Sequence, residues 1–144
     1  MNKNKVSIFR KTRLRLIQEE YSSLINKQVQ WKDFSDYSYA HEFDKKRYKL
    51  IKGKLEANRR FIDQLIDKYS KERSFEQLNP IDIAILRVII AELFFAKTAS
   101  YKILIDEAVE ISKRYSTANS YKYINAVLGS ILRQEEFHGI NVKV

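Results

Sequence analysis

Asn79 and Pro80 open the stretch that decides the fold: residues 79–96 read NPIDIAILRVIIAELFFA. Asparagine is a good helix N-cap. Proline fits the first helical position, where its missing N–H would have no partner anyway. An aspartate at position 82 faces the positive end of the helix dipole. The sequence therefore predicts a helix from Pro80 to about Ala96. That helix is apolar nearly all round, which makes it the central element of a bundle, since a surface helix keeps a polar face. Beyond the first turn only Arg87 and Glu92 carry charge. Buried charges need partners, so structural ion pairs are expected of both. The apolar run Ile83–Phe95, interrupted by those two residues, is too short to cross a bilayer.

Working outward, Ser100 is expected to cap the next helix, with Leu104, Ile105, Ala108, Val109, Ser112 and Tyr115 as its inward stripe. Asp106, Glu107 and Glu110 fall on its other faces. Asn119 or Ser120 caps the last helix, in which Tyr123, Ile124, Val127, Leu128, Ile131 and Leu132 recur at helical spacing. From Glu135 to Val144 no period remains, and a loose tail is expected. Upstream, residues 43–70 read as one long helix with Leu50, Ile51, Leu55, Ile62, Leu65, Ile66 and Tyr69 on one face. Gly53 lies inside it at a cost of about 1 kcal/mol against alanine, which suggests a close backbone approach there. A single helical turn is expected near Phe75–Leu78. Residues 27–42 are the least regular. There Trp31, Phe34 and Tyr37, with Asp33 and Asp36 between them, read as aromatics tucked under the helices. The first segment is a basic amphipathic helix with Val6, Phe9, Leu16, Ile17, Tyr21 and Leu24 on one stripe. The sum is an all-α domain of six or seven helices joined by short loops.

Composition narrows the function. The 144 residues predict one domain. With 27 Lys and Arg against 18 Asp and Glu, the net charge is +9, an excess that points to a polyanionic partner. The absence of cysteine excludes disulfides, thiolate metal sites and a cysteine nucleophile, and 2 histidines make a histidine metal cluster a poor reading. Three glycines leave little room for a phosphate-binding loop. No apolar segment follows Met1, so no secretory signal is read, and a cytoplasmic location is expected. No cofactor is implied. Lys3, Lys5, Arg10, Lys11, Arg13 and Arg15 all precede the first acid, Glu19. Positive charge at a helix N-terminus opposes the dipole, so the cluster has a purpose other than helix stability. Binding of a polyanion is the purpose expected of it, with a solvated basic face as the alternative.

Three blocks then carry a resemblance: LNPIDIAILRVIIAELFFAK, YKILIDEAVEISKRYS and NSYKYINAVLGSIL. Their A-I-L-R core, DEAVE-x-x-K-R-Y helix and S-x-K-aromatic-I/V-N-x-V-L helix resemble the NusB family of transcription antitermination factors. The likeness extends upstream through GKLEANRRFIDQLI to about residue 50. In the first helix, RKTRLRLIQEEY keeps Arg10, Arg13, Gln18 and Tyr21 of the family's pattern but places Thr12, Glu19 and Glu20 where the family has small or apolar residues.

The resemblance implies a NusB-like fold of two crossed helical bundles, one over about residues 1–70 and one over about 75–135. It implies a non-enzymatic role: binding single-stranded boxA-type RNA together with the ribosomal protein NusE, within the antitermination complex on RNA polymerase. A track of Lys3, Lys5, Arg10, Lys11 and Arg13 would meet phosphates, because single-stranded RNA needs cations along its backbone and planar groups for its bases. In the family the start of the last helix lies beside that track, which brings in Asn119, Lys122, Tyr123 and Asn125. Tyr123 is the stacking candidate, with an ordinary core aromatic as the alternative. Asp82 and Glu107 are candidates for contacts with the basic partner protein, or equally for capping. The competing reading is a NusB-fold interaction or dimerisation protein, possible as a homodimer, that has lost specific RNA binding. A methyltransferase bearing such a domain would need a nucleotide-binding domain for which no sequence is seen. A membrane partner is disfavoured, because the first helix's apolar stripe belongs to the core.

Overall fold

Every side chain from Ile81 to Ile90 is buried in the computed structural model of the chain, as an all-round apolar helix requires. The structure describes residues 3–25, 42–71 and 77–135, and the side chains of all of these except 3–7. Its elements are α1 (Lys3–Ile25), α2 (Lys45–Tyr69), α3 (Pro80–Ile90), a π-helical segment (Ala91–Ala96), α4 (Tyr101–Tyr115) and α5 (Ser120–Glu135). No strand occurs among the described residues. The described residues form five α-helices, where six or seven were expected of the chain. The turns anticipated within 27–42 and at Phe75 fall almost wholly in stretches outside the described residues.

The predicted start of α3 is present: Ile81 N donates to the Asn79 side chain at 3.1 Å, with Pro80 at the first position. Central α3 packs against α1, α2, α4 and α5, and α4 lies along α5. The helix does not run on unchanged to Ala96. From Ala91 its hydrogen bonds reach back five residues, as in Lys97 N to Glu92 O at 2.7 Å, and Lys97 ends the segment in the left-handed region at φ 54°. Such π-segments are uncommon and concentrate where a side chain must be re-aimed. Here it sets Glu92, wholly buried, among the cations of α1 and α2.

The long helix α2 is interrupted at Asn58 (φ −121°, ψ 15°), whose amide donates to the Lys54 carbonyl at 2.8 Å. A side chain that competes for the backbone ladder bends a helix in this way. The close approach expected at Gly53 is absent. A Cβ built there would meet nothing within 4 Å, so the glycine is only a weak point on an exposed face. Ser100 caps α4 through Ile103 N. Glu135, placed by its sequence in a loose tail, is a buried part of α5. It accepts from Lys68 Nζ at 3.1 Å and from the Tyr69 hydroxyl, tying the end of α5 to the end of α2.

The three departures in α1 are each matched by a partner. Thr12 Oγ1 accepts from Asp44 N at 2.9 Å and donates to the Ile8 carbonyl. Glu19 accepts from the Tyr48 hydroxyl at 2.6 Å and from Lys52 at 3.2 Å. Glu20 accepts from Arg59 and Arg87, and Arg87 also makes a two-pronged bond to Asp63 at 2.8 Å on each arm. The ion-pair role expected of Arg87 is thereby met.

Candidate nucleic-acid interface

Two of the cations in the α1 track have their side chains resolved into opposite roles. Arg10 and Arg13 are three residues apart and so share a face of the helix, from which both reach Glu107 of α4. Arg13 is 3 % exposed. Its Nε and Nη2 each reach a Glu92 oxygen at 2.8 Å, and its Nη1 reaches Glu107 at 3.0 Å. Arg10 grips Glu107 with Nε, at 3.1 and 3.3 Å, and with Nη2, while about two fifths of its side chain stays in solvent. The bond to Glu107 raises the Arg10 guanidinium above its usual value. Burial opposes the charge on Arg13, yet the bonds to Glu92 and the field of Glu107 raise it on balance.

Arg47 completes the cluster. It donates to Glu92 at 3.4 Å and lies 3.7 Å over the Phe9 ring, with Thr98 Oγ1 also donating to Glu92 at 2.7 Å. Three guanidinium groups thus share two carboxylates. The cluster keeps a net positive charge, and Arg10 carries it toward the surface.

Four of the sequence candidates have partners inside the protein. Arg13 is a strut inside the protein and presents no donors to a ligand. Glu107, read as an outward acid for a partner protein, is buried and occupied by Arg10 and Arg13. Asp82 is likewise 4 % exposed and accepts from Ser116 Oγ at 2.6 Å and Ser120 Oγ at 2.9 Å, so it pins the α4–α5 turn to α3. Tyr123 is half-buried against the core, and its hydroxyl lies 2.6 Å from Ser70 Oγ. Lys11 sits 3.8 Å from Glu42. Lys3 and Lys5 lie in α1, with side chains outside the described residues.

The remaining candidates converge. Asn119, Lys122 and Asn125 are exposed and recur every three residues, so they form one stripe at the start of α5. Facing them across the short turn, the end of α4 contributes Lys113, Arg114 and Tyr115. Lys113 Nζ lies 4.9 Å from the Tyr121 ring centroid and Lys122 Nζ 6.0 Å, while Arg114 lies 5.7 Å from that of Tyr115. A groove of about 190 Å³, lined by Arg10, Glu110, Ile111, Lys113, Arg114 and Tyr115, joins this corner to α1. Cations interleaved with aromatic rings suit single-stranded nucleic acid, whose phosphates need charge and whose bases need flat apolar faces.

Lys113, Arg114 and Tyr121 were not among the sequence candidates. Their signal was K-R-Y closing one helix and S-Y-K opening the next, with four residues between. Among the described residues no group of three or more His, Asp or Glu could hold a metal ion, and no helix is long and apolar enough to cross a membrane.

Fold and surface together define a small all-helical domain with a basic-aromatic face. The NusB family model matches residues 10–133, so the chain belongs to the NusB family. Transcription antitermination protein NusB of Thermotoga maritima is 40 % identical over 91 residues, which is 63 % of this chain but only 62 % of that relative's length. The protein of the same name from Methylacidiphilum infernorum is 33 % identical over 128 residues, 86 % of this chain and 90 % of its own. The crystal structure of T. maritima NusB superposes with a TM-score of 0.72 at 28 % identity, covering 90 % of this chain and 96 % of that one. A chain from a crystal structure of a plectonemic RNA supercoil shares the fold, with a TM-score of 0.65 at 23 % identity over 86 % of this chain and 93 % of its own.

Proposed function

We propose that this chain is a transcription antitermination factor that binds single-stranded boxA-type RNA, together with the ribosomal protein NusE, in the antitermination complex on RNA polymerase. Membership of the family supports the antitermination role. The observation that carries the RNA part is the corner where Lys113, Arg114 and Lys122 surround Tyr115 and Tyr121, continuous with Arg10 through the groove. In this reading Lys113, Arg114 and Lys122 hold phosphates, joined by Lys3, Lys5 and Lys11 of α1. Tyr121 stacks on a base, and Asn119 and Asn125 offer amides to base edges. Arg10, already bonded to Glu107, presents its remaining donors to the same strand. The role is binding rather than catalysis, and the cytoplasm is where it would act.

Fluorescence anisotropy of a boxA RNA against its scrambled version, at two salt concentrations and with or without NusE, tests this. A preference for boxA that tightens with NusE supports the reading. Equal weak binding of both RNAs, unaffected by NusE, would instead leave a NusB-fold interaction protein whose +9 charge attracts polyanions in general.

A further inference from the structure

The groove between α1 and α4 contains one group that a phosphate track does not call for. Arg10, Lys113 and Arg114 line it with positive charge, Ile111 forms an apolar floor and Tyr115 an aromatic wall, but Glu110 places an exposed carboxylate among them. Glu110 lies near enough to Arg10 to help hold its charge, yet Arg10 is already bonded to Glu107. An anion beside a phosphate chain weakens binding unless it accepts a hydrogen bond from the ligand. Carboxylates accept and never donate, so a ligand that turns Glu110 to advantage brings it an edge that carries donors.

Resting on the RNA-binding reading above, we propose that this groove is a pocket for one unstacked guanine of the bound RNA, and that Glu110 sets its selectivity. Guanine alone among the four bases offers two adjacent donors, N1–H and the N2 amino group, that match the two oxygens of a carboxylate. Its O6 and N7 are acceptors suited to Arg10, Lys113 or Arg114. Adenine presents an unprotonated N1 to the carboxylate, and uracil flanks its one donor with two carbonyls. The apolar floor and the Tyr115 ring take the faces of the base, as single-stranded recognition requires. A volume of about 190 Å³ is enough for one base.

The test uses four labelled oligouridines that carry G, A, C or U at one central position, titrated by anisotropy against the full chain and against Glu110→Gln. Glu110 is exposed, so the substitution does not disturb the core. The expected result is a guanine preference of about 5- to 20-fold over adenine and uridine. That preference collapses in Glu110→Gln, while binding of the other three probes holds or tightens. Inosine in place of the guanine, which lacks the N2 amino group, should bind several-fold more weakly than guanine. Binding of all four probes within twofold of one another overturns the pocket but leaves the RNA-binding reading standing. A uniform gain for every probe in Glu110→Gln also overturns it, because Glu110 then acts only as a repulsive charge. No binding of any probe at low salt overturns both.

Discussion

Arg13 and Glu92 form a two-pronged ion pair inside the protein, with both N–O distances 2.8 Å and side-chain exposures of 3 % and 0 %. They stand 79 residues apart in sequence, so the pair fastens α1 to the π-segment that follows α3. Glu107 extends it to Arg10, and through Arg10 to the surface. The basic track of α1 is therefore partly a structural device: one arginine holds the helix in place and its neighbour is oriented at the rim.

Breaking that pair leaves an unpartnered buried charge, which costs about 3–5 kcal/mol. Arg13→Ala and Glu92→Ala should each lower stability by that order in urea unfolding. The double variant Arg13→Met with Glu92→Leu should recover much of the loss, because no charge is then stranded. A loss below about 1 kcal/mol for either single variant would contradict the burial assigned to the pair.

Gly53 offers the opposite sign. It is exposed within α2, and no atom stands within 4 Å of an added Cβ. Gly53→Ala should raise stability by about 0.5–1 kcal/mol, visible as a higher urea midpoint at unchanged slope. A destabilised variant would mean that a close neighbour exists there after all.

Asp82 accepts from two serines at the α4–α5 turn. In Asp82→Ala those hydroxyls lose their acceptor, and a cost of about 1–3 kcal/mol is expected. Because the turn carries the proposed RNA corner, hydrogen exchange at residues 116–122 should quicken in the same variant. Unchanged exchange would show that the turn holds its shape without Asp82.

At alkaline pH the Glu19–Tyr48–Lys52 group should weaken. Burial, with the bond to Glu19, raises the Tyr48 phenol above its ordinary 10.0, and the bond to Tyr48 raises the Lys52 ammonium above 10.5. Both groups hold protons more tightly folded than unfolded. Their contribution is whole below about pH 10 and disappears as pH rises through the folded values. Stability of the parent chain, followed by urea unfolding, should fall more steeply above about pH 10 than that of a Tyr48→Phe, Lys52→Met variant. Parallel pH profiles would contradict the coupling.

Much of the fold was legible because backbone chemistry and periodicity are local signals. Asn79 and Pro80 announced α3, Ser100 announced α4, and the apolar circumference of α3 marked the centre. The errors lie where a polar side chain turns inward to meet one distant in sequence. Glu107 sits on an acidic stretch of α4 and looked like an outward residue; only folding shows Arg10 and Arg13 waiting opposite. Glu135 lost its helical context because its partners, Lys68 and Tyr69, close the other long helix. Tyr121 and Tyr123 differ by two positions, about 200° around a helix. Only folding shows that Tyr121 meets Lys113 while Tyr123 meets Ser70.

In the proposed complex the α4–α5 corner, rather than Arg13, meets the RNA. The most direct measurement is the salt dependence of boxA RNA binding by the parent chain and by Lys113→Gln, Lys122→Gln. Removing two phosphate contacts should make the slope of log K against log salt shallower by about 1.4, at about 0.7 for each contact on a single strand. An unchanged slope in a folded double variant would contradict the assignment and place the RNA elsewhere on the domain.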